Sequence, residues 1–135
     1  MGKIKIKKAL FKACTDEVAL KTETISKIMQ SNKKALESET KSSAGDKHEI
    51  GRAVLQLEME KASQQITAVK KMLETLKRIS VNNIQNTVAS GSVVRTSGFD
   101  FYISVSLGEI VVDRSKYYAI SARSPIGNLL MGKKA

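Results

Sequence analysis

Glu39-Thr-Lys-Ser-Ser-Ala-Gly-Asp46 decides how this chain folds. Ser42, Ser43, Gly45 and Asp46 are turn and capping residues, and they interrupt two long apolar periodicities. Gly45 suits the left-handed conformation that ends a helix. Asp46 suits the N-cap of a second helix, with Glu49 as its capping-box partner. Before the break runs Phe11, Cys14, Val18, Ile25, Ile28, Ala35, with polar Lys21 and Asn32 at the steps between. After it runs Leu55, Met59, Ala62, Ile66, Val69, Leu73, Leu76. These last spacings alternate four and three, the repeat of a coiled-coil seam. No Pro precedes Pro125, so neither stripe is broken. One stripe per helix predicts one packing partner per helix. The expectation is an antiparallel hairpin that turns between Lys41 and Asp46. At ~1.5 Å per residue, arms of roughly 30–35 residues span about 50 Å.

Past a polar stretch at Asn82 to Ser90 the period changes. Ser92 to Thr96 and Phe99 to Ser106 are β-branched and aromatic, with Ser97-Gly98 as a turn between them. Glu109 to Asp113 and Lys116 to Ser121 read as two further strands. Pro125 then opens one or two helical turns through Met131, with Pro at or near the first helical position. All aromatics except Phe11 lie in this half, so its core must lie there. The fold class is therefore α+β: residues 1–84 form the helical hairpin and residues 85–135 a small β-rich domain.

The 135 residues carry 23 Lys and Arg against 13 Asp and Glu, a net charge of +10. A negatively charged partner fits that balance. One Cys excludes a disulfide framework, and one His excludes sites built on two histidines. No apolar run approaches the ~18 residues that span a bilayer, and none follows the basic N-terminus as a signal peptide requires. A cytoplasmic protein without a membrane partner is expected.

Two motifs carry a family resemblance. The first is Gly45-Asp46-Lys47-His48-Glu49 at the turn. The second is Ile120-Ser121, then Ser124-Pro125-Ile126-Gly127, then Leu130 and Gly132-Lys133-Lys134. Gly91-Ser92-Val93 adds to them. In this order and spacing they resemble the GreA/GreB family of bacterial transcript-cleavage factors. The resemblance implies that the β-rich domain is FKBP-like. It also implies that the chain is not itself an enzyme. Its partner would be RNA polymerase, with contact to nascent RNA and only indirect contact to DNA. The hairpin would enter the secondary channel and promote cleavage of backtracked transcript. Asp46 and Glu49 would assist that catalysis by helping to hold a second Mg²⁺ shared with the polymerase. No cofactor of its own is implied.

The chemistry suits those residues. Mg²⁺ takes oxygen ligands and needs one or two carboxylates beside phosphate and water. Positions i and i+3 share a helical face. The plainer account makes Asp46 a cap and Glu49 its partner, and the two accounts are compatible. His48 is a general acid or base, or a solvated loop residue. Lys47 and Arg52 are candidates for contact with polymerase or RNA, and Arg52 alternatively pairs with Glu49. Ser124, Pro125, Ile126 and Gly127 either dock on the polymerase or start the short helix. After the acid pair the family continues with Asn, another acid and an aromatic, where this chain has Ile50, Gly51, Arg52 and Ala53. The chain stops at Ala135, where relatives add a Gly-Asp-rich turn and closing strands, so the resemblance implies an incomplete sheet. A hairpin that occupies the channel without cleavage, and a basic coiled coil that binds nucleic acid directly, are the other readings. A peptidyl-prolyl isomerase would need an aromatic pocket, which six aromatics and no Trp do not furnish.

Overall fold

The computed structural model describes residues 2–41, 46–82, 84 and 86–134, and their side chains except at 39–41 and 46–49. Two long helices come first, α1 (Lys3–Lys41) and α2 (Asp46–Lys77). Exposed ion pairs four residues apart brace α1: Lys12 with Asp16 at 2.8 Å and Glu23 with Lys27 at 3.0 Å. Each adds a few tenths of a kcal/mol at most. α1 ends at Lys41 and α2 begins at Asp46, so the expected break between the helices is present. The turn residues 42–45, and with them the expected conformation of Gly45, lie outside the described residues.

Four strands and a short helix follow. They are β1 (Val93–Arg95), β2 (Asp100–Ser104), β3 (Gly108–Val112), β4 (Ser115–Ser121) and α3 (Pro125–Leu130). The sheet order is β1-β2-β4-β3. β2 and β4 pair in parallel at the centre, Tyr102 opposite Ala119. β1 and β3 flank them antiparallel. Thr96 closes the β1–β2 connection by donating its hydroxyl to the Phe99 carbonyl at 2.6 Å and accepting the Phe99 amide at 3.0 Å. β3 turns into β4 through Asp113 and Arg114, both left-handed at φ 50° and 65°. That is the geometry of a two-residue hairpin whose twist matches the strands.

Compactness divides the chain into two units, residues 19–71 and residues 1–18 with 72–135. In the first, the α2 stripe is as expected. Ala62 and Val69 are buried, and Leu55, Met59 and Ile66 are half-buried among exposed neighbours. The α1 stripe holds in part: Ile25 is buried and Ala35 half-buried, but Ile28 is exposed and Met29 takes its place. Thr22, Asn32 and Leu36 are the other inward positions, and Lys21 is exposed. The physical reason is the strict four-three alternation, which runs through Thr22 and Asn32 although both are polar.

In the second unit Leu10, Cys14 and Val18 of α1 are fully buried, and Leu10 replaces Phe11 as the inward residue. Leu76, Ile79, Tyr102, Ile103, Val105, Ile110, Tyr117 and Ala119 are buried in the same unit. The first turns of α1 therefore complete the core of the small sheet, which about 50 residues struggle to build alone.

Candidate functional site

Asp46 opens α2, and Glu49 follows three residues later in its first turn. Their side chains, like those of Lys47 and His48, lie outside the described residues, as does any capping contact between them. Arg52 is exposed and Gly51 half-buried. Just beyond the acid pair, Ile50, Val54 and Leu57 are 65, 49 and 66% exposed. At spacings of four and three they share one helical face, and at 100° per residue that face points away from the seam. The sequence reading of one stripe per helix passed over this second one. The signal was present, because these residues repeat at i, i+4 and i+7 beside the seam residue Leu55.

The C-terminal motif divides by role. Ser124 N-caps α3: its hydroxyl accepts the Gly127 amide at 3.0 Å and donates to the Ser121 carbonyl at 2.7 Å. Pro125 sits in the first turn, where its missing N–H costs nothing. Gly127 is buried, and a Cβ there would run into the Ser121 carbonyl. Ile126 is 46% exposed and Leu129 69%, so the solvent side of α3 is apolar. Gly132 (φ 79°) ends this segment and donates to the Val88 carbonyl at 2.9 Å. Lys133 accepts the Val88 amide at 2.8 Å through its carbonyl, and Lys134 bridges to Thr87. Ser124 to Gly127 and the acid pair fall in different compact units.

Replacing Gly127 by Ala is expected to destabilise the protein by about 1–3 kcal/mol, because the obstacle is backbone and cannot swing away. Thermal melting measures it. A variant melting as high as the parent would contradict this packing.

Two further features bear on chemistry. Cys14, Tyr102 and Ser104 form a buried polar cluster between α1 and β2. The Cys14 thiol lies 3.9 Å from the Ser104 hydroxyl, and the Tyr102 hydroxyl is buried with no hydrogen-bond partner. Burial pushes the Cys14 thiol above its ordinary pKa, which keeps it protonated and unreactive. Charge also follows the compact units. Residues 1–18 with 72–135 hold 13 basic and 6 acidic side chains, +7, and residues 19–71 hold 10 and 7, +3. The basic character thus concentrates in the unit that carries the sheet and the N-terminal lysines. No helix among the described residues is long and apolar enough to cross a membrane.

No family model, curated protein or solved structure matches this chain.

Proposed function

We propose that this chain is a Gre-like factor that binds bacterial RNA polymerase and carries its acid pair into the secondary channel. The observation that carries the reading is the helix break. α1 stops at Lys41 and α2 starts at Asp46, so both acids belong to the first turn after the reversal. The capped Ser124 helix in the expected register supports the second motif, and the sheet domain is read as FKBP-like on the same resemblance.

The exposed stripe of Ile50, Val54 and Leu57 supports a tip that works inside a partner. Such a stripe on the solvent face of a hairpin contributes nothing to its own core, and contiguous apolar surface of this kind marks contact sites. Asp46 and Glu49 are hard oxygen donors that suit Mg²⁺, but two carboxylates are too few to complete its shell. Lys47 and Arg52 nearby oppose a free cation. The pair would therefore hold the ion only where the polymerase and the RNA phosphate supply the other ligands. The ion would supply charge stabilisation and an activated water for phosphodiester hydrolysis. A second reading keeps the channel and drops cleavage. It is favoured by Ile50, Gly51, Arg52 and Ala53, which stand where the family carries another acid and an aromatic.

Binding to purified polymerase core tests the reading. The native chain should bind, and Leu57→Asp and Ile126→Lys should each weaken binding about ten-fold or more with little change in melting temperature, since both residues are exposed. A native chain that does not bind the core would contradict the proposal.

A further inference from the structure

We infer that Asn32 marks the level at which the distal end of the hairpin opens independently of the rest. Among the described residues of 26–61, Asn32 is the one buried side chain, 8% exposed, and its Nδ2 has no hydrogen-bond partner. The apolar residues that close the seam fully, Ile25, Ala62 and Val69, all lie on the other side of it. Beyond Asn32 the closing contacts thin out. Leu36 is half-buried rather than buried, and Arg52 is exposed at the next seam position of α2. Ile50, Val54 and Leu57 face outward and are wetted whether the arms are closed or apart.

A seam asparagine ordinarily finds a partner amide and fixes register. Nδ2 of Asn32 has none, so closing the seam strips water from that donor and returns nothing for it. Opening the distal arms rehydrates that group and exposes little apolar surface in exchange. Local opening of this sort is governed by such an imbalance, and it need not disturb the better-packed layers. The consequence is that residues 33–38 and 50–54 adjust to a partner while Ile25, Ala62 and Val69 stay closed. The inference concerns the hairpin alone and stands whether or not the partner is a polymerase.

Amide hydrogen exchange on the full chain, read by mass spectrometry of peptides, tests it. In the native chain, peptides from 33–38 and 50–58 should exchange at least ten-fold faster than those from 19–25 and 62–71. Asn32→Leu should slow the distal peptides about ten-fold or more and leave the proximal ones unchanged. Asn32→Ala removes the same amide without adding bulk, and it should slow the distal peptides in the same direction if Leu does not fit. Equal exchange along both arms of the native chain would overturn the inference. So would variants of Asn32 that leave the distal rates as they were, or that slow all peptides alike.

Discussion

Truncating Tyr102 to Ala is expected to remove about 3–5 kcal/mol of stability, a fall in Tm on the order of 10–20 °C. Tyr102 has no exposed surface and is the largest of the fully buried side chains. It stands at the centre of the sheet opposite Ala119, close to Cys14 of α1. Its ring therefore fills the space where helix meets sheet, and the cavity left by Ala cannot close without moving both. Tyr102→Phe separates ring from hydroxyl. The hydroxyl is buried without a partner, so deleting it should be neutral or stabilising by up to about 2 kcal/mol. A loss of more than about 1 kcal/mol in the Phe variant would mean that the hydroxyl has a hydrogen bond after all.

The same residue gives a pH signature. Burial, and then the nearby Cys14 thiolate, push the Tyr102 hydroxyl above its ordinary pKa of 10.0. Burial likewise raises Cys14 above 9.0. In both groups the folded chain holds its proton longer than the unfolded chain. Their contributions are present at neutral pH and are lost as pH climbs past those ordinary values. Burial lowers the pKa of Lys7, which acts in the opposite sense over the same range. Comparing urea unfolding of the native chain and Tyr102→Phe from pH 8 to 11 isolates Tyr102: the variant should lose less stability with rising pH.

How much of this was legible in the sequence depends on how each element is encoded. The α2 seam was readable residue by residue, because every position from Leu55 to Leu76 is apolar and falls on the alternation. The α1 seam was not. Thr22 and Asn32 occupy inward positions, so the apolar pattern there points to Ile28, one position off Met29. The four strands were placed within one or two residues, since β-branched and aromatic runs bounded by turn residues signal extended chain. The Asp113-Arg114 turn had weak chemistry for two left-handed residues, because Arg gains nothing there. The core role of the first turns of α1 was hidden as well. Leu10 and Cys14 look like ordinary seam residues until the sheet is placed beside them. Of the candidate site, the capping role of Ser124 and the burial of Gly127 follow from local chemistry. The outward face of Ile50, Val54 and Leu57 needed the seam to be fixed first.

In the proposed function the acid pair at the start of α2 acts inside a polymerase. Asp46→Ala and Glu49→Ala change two positions in the first turn of α2. Loss of a cap costs about 1 kcal/mol, so both variants should fold and still bind the core enzyme. If the carboxylates complete the shell of a second Mg²⁺, losing either should reduce stimulated cleavage by two orders of magnitude or more. That is the scale lost when one group stabilising developing charge is removed. The decisive measurement is cleavage of the transcript in a stalled, backtracked polymerase complex, with the native chain and the two alanine variants at saturating concentration. The expected result is rapid Mg²⁺-dependent shortening of the RNA with the native chain and none above background with either variant. Equal shortening with all three would contradict it and leave Asp46 and Glu49 as the cap of a turn.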